Sequence, residues 1–126
     1  MRYLLIGLGG AVGSMLRYAV TVSLQSGGTR FPTGTLAVNV IGCFAIGVLA
    51  ELSDARGLLS PDMRGLLMVG LLGGFTTFSA FAHETLNASR ADDYLVVAGN
   101  ILLSVGLGLA AVWLGRGVAG LLGGGG

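Results

Sequence analysis

The sequence contains no lysine, one histidine and one cysteine, and charged residues make up only 10% of its 126 residues. Soluble domains carry roughly 25% charged residues, so this chain lacks the polar surface that keeps a domain in water. Its single cysteine, Cys43, excludes an internal disulfide, and no His or Cys residues stand at zinc-ligand spacing. A net charge of +1 argues against nucleic acid as a partner. No nucleophile, base and orienting residue cluster together, so we do not expect an enzyme.

The sequence is instead rich in long apolar segments. Hydrophobic residues make up 53% of the chain, and its mean hydropathy is +0.85. Because a bilayer core of roughly 30 Å needs about 20 apolar residues per helix, we predict four spans, at about 3–24, 33–52, 64–85 and 94–114. We expect one all-α, multi-pass domain over residues 1–126, with a bacterial inner membrane as the default location and a frayed glycine-rich tail after Arg116.

The third predicted span contains residues 73–81, which read GGFTTFSAF. Adjacent glycines and three hydroxyl side chains are poor material for an uninterrupted helix in lipid. Broken backbone at membrane depth is tolerated only where it is buried in protein or lines a wet cavity. We therefore predict a third helix broken mid-membrane, with residues 73–76 unwound and with free carbonyls that suit a small hard cation.

Arginine is distributed almost evenly between the two predicted membrane sides. Four spans place both termini together, with four arginines against two on the opposite side, or three if Arg17 reaches the surface. Orientation needs a clear bias of basic residues. The weak bias indicates insertion in both orientations, and a single orientation set by the small excess is the alternative. Glycine pairs at small-xxx-small spacing, Gly9 with Gly13 and Gly70 with Gly74, predict close helix packing.

Several polar side chains fall within the spans and have two interpretations each. The amide of Asn39 either bonds a neighbouring helix or donates to a passing anion. Asn100 and Ser104 share one helix face, which is either helix glue or the wall of a narrow path. Arg17 either attracts anions in a vestibule or extends to the interface. His83 and Glu84 are expected to sit at a helix end near water.

Phe78 and Phe81 stand three residues apart after the predicted break. They would project from one face of the resumed helix. Their ring edges carry partial positive charge and can approach an anion without trapping it. Ordinary aromatic packing is the alternative interpretation.

Residues 73–81 closely resemble the signature of the CrcB, or Fluc, fluoride channels. Two further stretches agree with the family pattern: GGAVG at 9–13 followed by Arg17 and Tyr18, and GTLAVNVIG at 34–42. The likeness covers nearly the whole chain. It departs from the pattern at Ala80, where many members have threonine, and at Asn100, where some relatives have an aromatic hydroxyl.

The resemblance implies an antiparallel, dual-topology homodimer in the lipid bilayer, with two fluoride paths and passive export that relieves toxicity. It implies that Asn39 lines the path and that Phe78 and Phe81 present ring edges to fluoride. Hydroxyls of Thr77 and Ser79, and less strongly Ser104, would complete the lining. Arg17 would lie near the vestibule, and the carbonyls of Gly73 and Thr76 would hold a structural sodium ion at the dimer centre.

Two other functions remain as alternatives. A small multidrug-type exporter is also short, four-spanning and often of dual topology, but such exporters need an acidic residue in the first span, which here holds only Arg17 as a charge. The second alternative, a non-transporting membrane assembly subunit, gives no function to the predicted break or to the buried Asn39.

Overall fold

The computed structural model describes residues 1–25 and 27–122; Ser26, in the predicted turn 25–32, and the last four glycines lie outside them. The described residues form six α-helices: α1 (Arg2–Gln25), α2 (Thr33–Ala50), α3 (Pro61–Arg64), α4 (Gly73–Phe75), α5 (Phe78–Arg90) and α6 (Tyr94–Leu122). Two π-helical stretches, Glu51–Ala55 and Gly65–Leu72, extend α2 and join α3 to α4.

Four mainly helical stretches are long and apolar enough to cross a membrane: Arg2–Gln25, Thr33–Ala55, Pro61–Arg90 and Tyr94–Leu122. No strand occurs among residues 1–25 and 27–122. The prediction of an all-α chain with four membrane-spanning helices is confirmed. Backbone groups satisfied within each helix are what a bilayer core demands, because it offers no water as a partner.

The first and third spans approach each other through their glycines. A Cβ at Gly9 would collide with the carbonyl oxygen of Leu66, and one at Gly13 with that of Leu71. A Cβ at Gly74 would lie 2.5 Å from the carbonyl oxygen of Gly10. A Cβ at Gly70 would lie 2.5 Å from the carbonyl oxygen of Ile6. The predicted glycine pairs therefore pack on each other's helices, where close backbone approach rather than hydrophobic burial drives association.

The second and fourth spans form the other tightly packed pair. A Cβ at Gly47 would collide with the carbonyl of Val112, and one at Gly115 with the carbonyl of Phe44. Val38 on α2 is fully buried, and Ala119 on α6 is nearly so. The bundle is thus two glycine-packed helix pairs.

The helical geometry of the third span is interrupted at Thr76 and Thr77, both of which have extended backbone. The predicted unwinding of residues 73–76 is wrong in its position, because Gly73–Phe75 is helical and only Thr76 of that stretch is extended. The glycines stay helical since Gly74 has to lie against α1. The interruption falls instead on the two threonines, whose polar side chains can bond the freed backbone.

Charged residues close the end of the bundle that holds the N-terminus. Three ion pairs lie there, Arg2–Asp62, Arg64–Asp54 and Arg116–Glu51. Arg56 donates hydrogen bonds of 2.6 and 2.8 Å to the carbonyls of Ala119 and Gly120. The prediction of a frayed chain directly after Arg116 is therefore wrong, because α6 continues to Leu122 with its last carbonyls capped by a cation.

Candidate functional site

Asn39 on α2 bonds both backbone groups of the extended Thr77. Its Oδ1 accepts from the Thr77 N–H at 2.8 Å, and its Nδ2 donates to the Thr77 carbonyl at 3.0 Å. In an uninterrupted α-helix the Thr77 N–H would bond the carbonyl of Gly73. The amide oxygen of Asn39 thus replaces the helical partner that the Thr77 N–H has lost. Of its two interpretations the interhelical bond is present, and one Nδ2 hydrogen is left for another acceptor.

The Thr77 hydroxyl caps the resumed helix. Its Oγ1 accepts from the Ala80 N–H at 3.1 Å, the usual bond of a threonine N-cap. The same oxygen lies 3.1 Å from the hydroxyl of Ser79, which is exposed. Two hydroxyls therefore stand side by side at the start of α5, and a proton of the pair can be turned toward a ligand.

Phe78 and Phe81 form the first turn of α5. Their ring centroids are 5.5 Å apart, and the ring planes are inclined by 44°. The centroid separation lies within the range of attractive aromatic pairs, and the tilt is intermediate between stacked and edge-to-face. Phe78 is 80% exposed in the single protomer, whereas Phe81 is partly buried. Because the helix resumes at Phe78, directly after Thr77, both rings belong to the first turn of the resumed helix.

A cavity of about 330 Å³ brings five of the predicted site residues together. Its lining includes Asn39, Gly73, Thr76, Thr77 and Phe78. The residues assigned to the anion path and those assigned to the cation therefore share one open space. Apolar walls around a few convergent polar groups are typical of small-ligand sites.

Arg17 extends from α1 to the interruption. Its Nη1 donates to the carbonyl of Thr76 at 3.3 Å. Arg17 also lines a second cavity of about 340 Å³ together with Thr35 and Glu84. Thr77 contributes to the walls of both cavities. The arginine thus places positive charge at Thr76, next to the Thr77 backbone that Asn39 bonds.

Thr35 and Glu84 form a contact that the sequence interpretation missed. The Thr35 hydroxyl donates to Oε1 of Glu84 at 2.6 Å, and Thr35 is only 2% exposed. Oε2 of Glu84 is covered and has no hydrogen-bond partner within the described part of the chain. The expectation that His83 and Glu84 sit at a helix end is wrong, because α5 continues to Arg90. The available signal was spacing: Thr35 lies one turn before Asn39 on the same helix face.

Ser104 lies apart from this cluster. Its hydroxyl donates to Oδ1 of Asn100 at 3.3 Å on the same helix, α6. Asn100 in turn donates to the hydroxyl of Thr85 at 2.9 Å. The polar face of α6 therefore hydrogen-bonds α5. Of the two interpretations of this face, the contact between helices is the one present.

The oxygen donors at the interruption suit a sodium ion. The Gly73 carbonyl loses its helical amide partner to Asn39, and Gly73 is exposed. The Thr76 carbonyl accepts from Arg17 but has a second lone pair. Among residues 1–25 and 27–122 no three His, Cys, Asp or Glu side chains are grouped to hold a metal. Backbone carbonyls are thus the donors that the site offers a hard cation.

Comparison with known proteins gives one consistent result. The family model described as CrcB-like protein, Camphor Resistance (CrcB), matches residues 4–116. A protein of Solibacter usitatus named fluoride-specific ion channel FluC is 50% identical over 116 residues, which cover 91% of this chain and 95% of that protein. A Rhizobium leguminosarum bv. trifolii protein of the same name is 51% identical over 118 residues, covering 91% and 93%. A Roseiflexus protein, again so named, is 45% identical over 123 residues, covering 97% and 99%.

Proposed function

Because this chain belongs to the CrcB family, we propose that it is a fluoride-specific ion channel, which lets fluoride leave the cytoplasm passively and so limits its toxicity. It is a multi-pass membrane channel and not an enzyme. The observation that carries the assignment is the Thr76–Thr77 interruption, in which Asn39 bonds both backbone groups of Thr77 and after which the helix resumes with Phe78 and Phe81 in its first turn. A bacterial inner membrane is the proposed location.

The path residues act by offering weak positive charge. Asn39 has an unused Nδ2 hydrogen beside Thr77, and the Thr77–Ser79 pair can turn a hydroxyl proton outward. The edges of Phe78 and Phe81 add partial positive charge without a full cation. Conduction needs binding that is favourable enough for entry and weak enough for release. Fluoride is a small, strong acceptor, so these donors favour it over larger halides.

A second copy of the chain, inserted antiparallel, completes the paths. In the single protomer Phe78 is 80% exposed and the cavity that it lines is open. Four spans cannot enclose a path alone, and the even division of arginines supports insertion in both orientations. A dimer of this symmetry has two equivalent fluoride paths.

Backbone carbonyls of Gly73 and Thr76 from each subunit would hold a sodium ion at the dimer interface. The release of the Gly73 carbonyl by the Thr77–Asn39 bond supports this assignment. A bound sodium ion would supply fixed positive charge that holds the interrupted segments of both subunits together. Spherical density ringed by carbonyls at the dimer centre is expected, and a well-resolved dimer without it would contradict the sodium site.

Flux from purified protein in liposomes tests the channel. Fluoride efflux should be fast, electrogenic and far greater than chloride efflux. Well-folded dimers that pass no fluoride would refute the channel and leave an assembly subunit. Proton-coupled transport of organic cations would instead indicate the multidrug-type exporter.

A further inference from the structure

Asn100 is the most deeply buried polar side chain of the described residues that the proposed conduction path does not use. It is 1% exposed in the single protomer. A partner subunit is therefore not needed to cover it, and its amide is not available to line a path formed between subunits. A buried amide is retained at little cost only when its polar atoms are bonded.

The hydrogen bonds around Asn100 form a series in which each group donates to the next. The Ser104 hydroxyl donates to Oδ1 of Asn100 at 3.3 Å, and Nδ2 of Asn100 donates to Oγ1 of Thr85 at 2.9 Å. The Thr85 hydroxyl then donates to the carbonyl of Phe81 at 2.7 Å. Each hydroxyl has a single proton, so the donation by Asn100 to Thr85 favours the rotamer that points the Thr85 proton at Phe81.

This series of hydrogen bonds ends on the backbone of Phe81, an aromatic residue proposed to face fluoride. Helix α5 is bonded to α2 through Thr77 at its N-cap and through Glu84, and to α6 about two turns after the N-cap, through Thr85. The bonds to α2 hold α5 against one neighbouring helix, and the bond from Asn100 to Thr85 adds a second neighbour, which restricts the rotation of α5 about its axis. Phe81 lies between Thr77 and Thr85, so the direction of its ring depends on both neighbours.

We infer that Asn100 is a positioning residue for fluoride conduction, which acts through Thr85 to hold the Phe81 ring at the path. This inference rests on the proposed channel function. It also accounts for Ser104, because that hydroxyl donates its proton to Asn100 and does not donate to the anion while this bond is formed.

Thr85→Val is the decisive variant, because valine keeps the shape of threonine and removes only the hydroxyl. The unitary fluoride current in planar bilayers should fall about two- to tenfold, the equivalent of one net hydrogen bond. Thr85→Ser restores the hydroxyl and should restore the current. Thr33→Val is the matched control, because the Thr33 hydroxyl also donates to a carbonyl, that of Leu24, but at the first residue of α2 and away from α5; its current should equal that of the wild type.

A double-mutant cycle separates positioning from general stability. In a Phe81→Ile background, Thr85→Val and Asn100→Leu should cause no further loss of current, since the ring that they position is gone. A purely structural role predicts the same fractional loss in both backgrounds, and that result, or unchanged current in Thr85→Val dimers, would overturn the inference. Wild-type protein that conducts no fluoride in this assay would instead refute the channel itself. If Asn100→Leu yields no dimers, the Thr85 variants decide alone.

Discussion

Replacing Asn39 by leucine should separate the structural and conductive roles of its amide. Leucine has a similar size, so the change removes two hydrogen bonds and leaves little cavity. It leaves the N–H of Thr77 without a partner and removes one bond from its carbonyl, at a residue that is 9% exposed, where water cannot easily replace the amide. An unsatisfied buried group costs about 1–3 kcal/mol, and one lost hydrogen bond about 0.5–1.5 kcal/mol. The free energy of unfolding should therefore fall by about 1.5–4.5 kcal/mol.

Equilibrium unfolding in mixed micelles, followed by far-UV circular dichroism against the fraction of denaturing detergent, measures this loss. Asn87→Leu is the matched control, because Asn87 is exposed and its amide contacts only His83 on the same helix. That variant should stay within about 0.5 kcal/mol of the wild type. A loss this small for Asn39→Leu as well would refute the claim that the amide stabilises the interruption.

Fluoride flux from the Asn39→Leu dimers that do fold tests the second role. The flux should be lost, because the variant removes the spare Nδ2 hydrogen and frees the start of α5. Full flux together with a large stability loss would restrict Asn39 to helix bonding. The path would then have to rely on the hydroxyls and ring edges.

Three further results are expected. Phe81→Ile should cut fluoride flux while dimers stay intact in size-exclusion chromatography; unchanged flux would remove Phe81 from the path. Gly13→Ala should lower the free energy of unfolding by about 1–3 kcal/mol, because its Cβ would meet the Leu71 carbonyl, whereas Gly7→Ala has open space and should not; equal effects would contradict the packing. Arg56→Met should unfold the last turn of α6, whose carbonyls it bonds, and raise amide hydrogen exchange there; unchanged exchange would show that the cap is dispensable.

Much of the fold could be predicted because it depends on length and composition. Apolar runs of about 20 residues specify membrane helices directly, and the glycine pairs predicted close helix packing, although not which helices would meet. The positions of the interruption and of the end of α6 could not be predicted. The interruption depends on whether Gly74 is needed against α1, and the end of α6 depends on Arg56, which is far away in sequence.

The sequence by itself determined the membrane class, the four spans, the family and the identity of the residues around 73–81. Those properties are local, or follow from the order of residues alone. Only the tertiary structure decided how the polar groups pair: Asn39 with Thr77, Arg17 with Thr76, Thr35 with Glu84, and Asn100 with Thr85. Each pair joins residues from different helices. A buried donor bonds whichever acceptor the packing brings within reach. The sequence of one helix alone does not specify which acceptor that is.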